Sequence, residues 1–330
     1  MLILATAFLI SFGDDKKTVE VVCPVDAFRF QAFEVTVSNK WGGMDTDGCL
    51  HAIKTTPYEL LVWACPSCGF AGRKKDFEAK LSEEDRAVLR AGLKPAEKIV
   101  KGARQNQIPG HVKYDLLAQA ARLRKLPPEQ AAIGYKYASW SCRQQGAIDF
   151  DAFDEWDQLR TNYGLHQTPM QLGFDKNRTD FELAQAKKLE KDLDAKKYER
   201  GINKILARYL AAFLYRKHGE NAEAERWLKE LDAVKGENSL VDDAAAKMRA
   251  SIDLERAYQK KACEAYIEAV DSKKLDKKTS AEVAYLIGEF YRRTGDLASA
   301  SSWYQTAIDG AETPEFKKLA ADQKAKAERK

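Results

Sequence analysis

Hydrophobic positions change their period along this chain. Val19, Val21, Val35 and Val37 alternate with polar residues, the two-residue period of strands with one covered face. Gly42-Gly43, Asp47-Gly48 and Pro57 mark turns around them. From about residue 77 the spacing becomes helical and stays so. Ser82 with Asp85 has the form of a capping box and Gly92 that of a stop, while Pro95 suits a first helical position. Pro109-Gly110 precedes a helix over 111–125, in which Leu116, Leu117, Ala120 and Leu123 form an apolar stripe. Pro127-Pro128 stops that helix and starts another, over about 129–145. Thr179 with Glu182 reads as a second capping box, opening a charged helix that runs to about residue 196. Residues 239–274 read as one long helix, and Pro314 begins a last one that ends in Lys-rich sequence.

The helical part repeats itself. Residues 210–219 align without a gap with 286–295, and at the same offset Ala222, Ala224 and Trp227 meet Ala298, Ala300 and Trp303. Each window predicts a hairpin: an apolar helix, a turn at Gly219 or Gly295, and a second helix opened by Asn221 or Asp296, with Trp227 and Trp303 as packing residues. Here the chain resembles the tetratricopeptide (TPR) family, whose unit of about 34 residues fits 281–314. Gly288, Tyr291, Gly295, Ala300, Tyr304 and Ala307 hold its signature positions, and Ala212, Tyr215, Gly219, Ala224, Leu228 and Leu231 hold them in 205–238. Small residues let paired helices approach, and the tyrosines fill the space between hairpins. A degenerate third unit is expected over 132–165. The resemblance implies a mainly α fold, a TPR-like α-solenoid, with the first helix of each hairpin facing a groove. By register that groove would show Tyr209, Phe213, Arg216 and Lys217, then Tyr285, Glu289, Arg292 and Arg293. Basic residues beside aromatics suit an acidic peptide or a chain carboxylate, the alternative being a solvated helix face.

Composition narrows the class. With 45% hydrophobic and 32% charged residues the chain can bury a core, which sets it apart from disordered sequences. A net charge of +4 from 54 basic and 50 acidic side chains, with no extended basic block, makes no electrostatic case for nucleic acid. Residues 1–10 are apolar, too few to span a bilayer but similar to the apolar core of a secretory signal without its basic flank. The reading leans towards export, with residues 1–17 as a truncated signal or else a packed N-terminal strand.

The cysteines add chemistry. Cys65-Pro66-Ser67-Cys68-Gly69 is the knuckle of structural zinc sites: two thiolates chelate one ion and the glycine closes the turn. Cys23-Pro24-Val25-Asp26 has the same spacing with Asp in the second ligand position, and Cys49 offers a further thiol. The expected zinc ligands are Cys23, Cys49, Cys65 and Cys68, with Asp26 or His51 as substitutes, in a β-rich zinc-ribbon-like module over 18–76 that precedes helices over 77–330. Export would favour disulfides instead, and no βαβ pattern surrounds the motif to suggest a redox site. Cys142 and Cys263 read as buried free thiols. With Asp45, Asp47 and Pro57, the two knuckles resemble a bacterial family, domain-of-unknown-function family 2225, which runs from such a module into TPR-like helices. The resemblance implies architecture and no activity.

Other constellations stay bland. Asp45-Thr46-Asp47 reads as a turn bracing the cysteine module, and Asp149, Asp151, Asp154, Glu155 and Asp157 as a solvated face. Asn177-Arg178-Thr179 fits a glycosylation acceptor, with Thr179 better explained as a cap. Four scattered histidines and the lack of hydrolase or phosphate-loop motifs give no catalytic set. The expectation is therefore a non-catalytic scaffold that binds a protein or peptide and carries a structural zinc. Two alternatives stand beside it: an enzyme using Asp45, Asp47 and the cysteine module, and nucleic-acid binding through the ribbon and Arg73-Lys74-Lys75.

Overall fold

The computed structural model describes residues 16–36, 41–52, 58–95, 99–150, 153–167, 169–172 and 177–329. The apolar run over 1–13, Val37, Pro57, Asp151 and the residues that would follow Pro95 in a helix fall outside these.

Two small antiparallel hairpins open the chain. β1 (Lys16–Val22) pairs with β2 (Arg29–Val35), with Val19 opposite Ala32 and Val21 opposite Phe30. The inward residues Val21, Phe30 and Ala32 are buried, as the alternation predicts. After α1 (Tyr58–Leu61), the short strands β3 (Trp63–Ala64) and β4 (Ala71–Gly72) pair around the second cysteine turn. Helices α2 (Lys74–Glu78) and α3 (Glu83–Gly92) follow, and Ser82 caps α3 by accepting from the Asp85 N–H at 3.0 Å. Val21, Phe30, Trp63, Phe70 and Phe77 share one apolar cluster with Leu89, Leu93 and Ala120, so the core of the cysteine module runs into the helices.

The rest is helical: α4 (Gly110–Leu123), α5 (Pro128–Gly146), α6 (Asp154–Asn162), α7 (Pro169–Leu172), α8 (Arg178–Asp194), α9 (Gly201–Lys217), α10 (Asn221–Asp232), α11 (Ser239–Asp271), α12 (Lys277–Thr294), α13 (Leu297–Gly310) and α14 (Pro314–Glu328). No described helix is long and apolar enough to cross a membrane. The spine is α11, 33 residues and so about 50 Å long. It lies along α5, whose other side meets α4. Small residues on α5 permit that approach: a Cβ on Gly134 would sit 2.8 Å from that of Ala118. The two repeat windows form the expected hairpins, α9 with α10 and α12 with α13, and α14 packs on α13. Gly288 lies directly against the Tyr304 ring, 2.8 Å from where its Cβ would be.

Two expectations change. The window over 132–165 does not make a third hairpin, because α5 is held between α4 and α11 while α6 packs on α9. The cap of α8 is Asn177, whose Oδ1 accepts from the Thr179 N–H at 3.3 Å. Thr179 and Glu182 are both buried, and their polar atoms serve contacts with other elements.

Candidate functional site

The two cysteine turns are copies of one geometry. In the first, the Cys23 N–H donates to Phe28 O and the Ala27 N–H to Cys23 O, both at 2.9 Å. In the second, the Cys65 N–H donates to Phe70 O at 2.8 Å and the Gly69 N–H to Cys65 O at 2.9 Å. Asp26 thus stands where Cys68 stands, and Ala27, at φ 60°, where Gly69 stands at φ 78°. Facing each other, the turns bring the Cys23, Cys65 and Cys68 sulfurs and an Asp26 oxygen within 4.8 Å of one another. The Cys23 and Cys68 sulfurs are 3.6 Å apart, and Cys65 Sγ is 3.7 Å from Asp26 Oδ1. Tetrahedral zinc with bonds of about 2.3 Å separates its sulfurs by roughly 3.8 Å, whereas a disulfide needs about 2.05 Å. No two cysteine sulfurs are bonded to each other, and the four groups fit a zinc-sized ion. Hydrogen bonds from the Cys23 and Cys68 thiols pull Cys65 down to about 4, against burial, so the pocket already stabilises a thiolate.

Cys49 and His51 belong elsewhere. They lie in a loop, residues 44–51, closed by the Asp45 N–H bonding to Cys49 O and the Gly48 N–H bonding to Asp45 O, each at 2.9 Å. The loop is inserted among the helices, and Asp45 and Asp47 are 2% and 1% exposed. From α5, Arg143 donates to Asp45 Oδ2 at 2.8 Å, to Asp47 Oδ2 at 2.6 Å and to Glu255 of α11 at 2.6 Å. Trp140 donates to Asp47 Oδ2 at 3.1 Å. From α12, Arg293 donates to Thr46 Oγ1 at 3.1 Å, Tyr285 donates to Thr46 O at 2.8 Å, and Glu289 accepts from Thr46 at 2.6 Å. His218, which follows α9, bridges Asp45 Oδ1 at 2.9 Å and Glu182 Oε2 at 2.8 Å. Both its nitrogens face carboxylates, so both donate; burial opposes the charge but these contacts raise its pKa. His51 donates to Asp45 Oδ2 at 2.9 Å, and burial lowers its pKa.

Asp45, Cys49 and His51 also lie within 4.8 Å of one another. Asp45 is already taken on both oxygens, by Arg143 and His51 on one and by His218 and Thr179 on the other. A cation there would displace or face the Arg143 guanidinium, so the donor set fits an ion-paired core and not a metal. The Asp-Thr-Asp segment therefore braces the helices, not the cysteine module.

The expected groove face is closed by the same network. Tyr209, Phe213, Arg216, Tyr285, Glu289 and Arg293 are buried. Tyr209 and Phe213 pack on Trp156, and Arg216 pairs with Glu255. Lys217 pairs with Glu182 at 2.7 Å, and Arg292 with Glu220 at 3.1 Å. Loop 44–51 and α11 fill most of this face, while two of the expected residues, Tyr285 and Arg293, also line an open cleft.

What stays open is a cleft of about 1190 Å³ on the other side of that loop. Its floor is residues 45–48; Tyr58, Tyr137 and Trp140 line one wall, and Tyr285, Phe316 and Leu319 the other.

The residues that organise these sites and were not singled out in the sequence are Arg143, His218 and Glu255, while Glu182 was read only as the partner in a capping box. Arg143 did carry a signal: it stands three residues before Gly146, as Arg216 stands before Gly219 and Arg292 before Gly295.

The molecule is thus a mainly helical protein whose N-terminal hairpins present three cysteines and an aspartate fit for a metal. It belongs to domain-of-unknown-function family 2225, described as an uncharacterized protein conserved in bacteria, whose profile matches residues 16–253 and 247–328. No curated protein and no solved structure matches the chain.

Proposed function

We propose that this protein is a non-catalytic binding scaffold, a TPR-like helical array whose N-terminal module is stapled by zinc on Cys23, Asp26, Cys65 and Cys68. The cleft carries the binding half of the reading. It is a large open concavity on the helical side, aromatic and aliphatic side chains make up much of its walls, and the carboxylates and imidazole on its floor are neutralised by buried partners. Groups held that way brace a fold; an acid, base or nucleophile needs a free valence toward substrate. The paired turns support the zinc half. Four ligands leave no coordination position for a substrate, as in structural sites, and a metal there offsets the small core of the two hairpins.

The test is metal analysis of native protein with a thiol count after denaturation in chelator, followed by cobalt replacement. One zinc per chain, six free thiols and a tetrahedral cobalt spectrum unmoved by azide or imidazole are expected. Absence of metal with paired thiols would remove the staple, and a cobalt spectrum that shifts with added ligand would point to an open, catalytic metal instead.

A further inference from the structure

The cleft between α5 and α14 keeps one buried acceptor without a hydrogen-bond donor and one cation held by ring faces alone. Gln323 of α14 is 3% exposed and lines the cleft, yet its Oε1 accepts no hydrogen bond. On the opposite wall, the Lys136 ammonium lies 4.9 Å from the Trp140 ring and 5.1 Å from that of Tyr137. Among the described residues no carboxylate or carbonyl oxygen accepts from it, and burial lowers its pKa. A buried acceptor without a donor is unfavourable, and Lys136, held by two ring faces and the field of Asp47, keeps its N–H donors unused. A ligand supplying a donor to one and a carboxylate to the other is therefore favoured. The surface between them is apolar: Met44, Leu61 and Leu319 line it while 52%, 41% and 39% exposed. Asp45 and Asp47 beneath are neutralised by Arg143, Arg293 and His218, while Asp180 and Glu282 at the rim are solvent-exposed.

We propose that the cleft binds an extended peptide segment carrying an Asp or Glu flanked by aliphatic residues. The peptide carboxylate pairs with Lys136, a backbone N–H donates to Gln323 Oε1, and the aliphatic side chains cover Leu61 and Leu319. At about 1190 Å³ and open to solvent, the cleft has room for an extended segment. Gln323 asks for an N–H donor, which a main chain supplies whatever its sequence. The proposal rests on the scaffold reading and names the site and the chemistry of its occupant.

The experiment is affinity selection of a synthetic library of acetylated, amidated octapeptides on the full chain, with the best peptide then titrated by fluorescence anisotropy. Acidic residues next to Leu, Ile or Phe should be enriched. Lys136→Met should weaken binding about tenfold or more, as expected for a charge-assisted hydrogen bond. Gln323→Leu should weaken it severalfold, and Leu254→Asp, exposed on α11 outside the cleft, should leave it unchanged. Lys136→Glu should move the selected residue from Asp or Glu to Lys or Arg, a reversal that a merely structural lysine would not produce. Peptides selected equally by the wild type and by the Lys136 and Gln323 variants would overturn the cleft assignment and leave the scaffold standing. Failure to select any peptide would overturn both.

Discussion

Asp47→Asn tests the charged core at its most constrained point. Asp47 is fully buried and takes hydrogen bonds from Arg143, from Trp140 and, at 3.2 Å, from the Cys49 N–H, with Arg293 Nε 3.5 Å away. Burial raises its pKa, but Arg143 and Arg293 prevail and hold it at about 2, against 3.8 for a free Asp. That shift corresponds to about 2 to 3 kcal/mol of stability from the ionised form. Asparagine loses this term and adds a second cost. Either orientation of its amide turns an NH₂ toward donors, Arg143 Nη2 and Trp140 in one case, Arg143 Nη1 and Cys49 in the other. The total loss at pH 7 is expected near 3 to 5 kcal/mol, the range for breaking a buried ion pair. Because the folded pKa is depressed, the contribution is present above pH ~4 and is lost as pH falls toward 2, so the gap between wild type and variant narrows by about 1 kcal/mol from pH 5 to pH 3. Urea denaturation followed by circular dichroism across that range measures both quantities. A loss below about 1 kcal/mol at pH 7, or a gap that stays constant with pH, would refute the idea that loop 44–51 is held by charge.

Three further outcomes follow from the same geometry. Ala27→Gly relieves a left-handed alanine and should raise stability by roughly 1 kcal/mol; a lower melting temperature would show that the Ala27 methyl contributes more than its backbone costs. Gly219→Ala would place a methyl onto the Arg143 and Arg293 guanidiniums at φ 69°, with an expected loss of about 3 kcal/mol or more. Gly295→Ala, at φ 92° with open space around it, should lose only about 1 kcal/mol, and equal losses in the two melts would contradict the crowding. His218→Gln should destabilise more at pH 6 than at pH 9, as compared by denaturation midpoints. Flanked by Asp45 and Glu182, with His51 and Lys217 nearby, the wild-type imidazolium has a raised pKa, so its contribution is full below about pH 6.5 and fades as pH rises through the folded value.

Local signals and the repeat made much of the architecture readable, because both depend on residues close in sequence. The hairpins at Gly219 and Gly295, the Pro128 start of α5 and the single long α11 all follow from spacing within a few turns. The knuckle spacing that gives Asp26 the second ligand position was readable, but Cys49 was expected ahead of it; the matching hydrogen bonds of the two turns put Asp26 in the set and leave Cys49 without a place in it. The long-range pairings were not readable. Thr179 looks like a cap from its neighbours alone, yet Asn177 caps α8 while Thr179 turns to Asp45, 134 residues away. Most of the expected groove residues are buried for a related reason. Arg143, Arg216 and Arg292 hold the same position before the turn glycine, which in a solvated array would be an exposed basic stripe. Here each has a carboxylate within the fold, Asp47 and Glu255 for Arg143, Glu255 for Arg216, and Glu220 for Arg292. Glycine at the turn leaves room for those guanidiniums, since a Cβ on Gly146 would meet Arg216 and one on Gly219 would meet Arg143. At Gly146 and Gly219 the missing Cβ thus makes room for a neighbouring guanidinium, whereas Gly295 has open space around it. The concavity that stays open is lined by Lys136 of α5 and Gln323 of α14 together with Arg293, and it is the surface on which the proposed binding role rests.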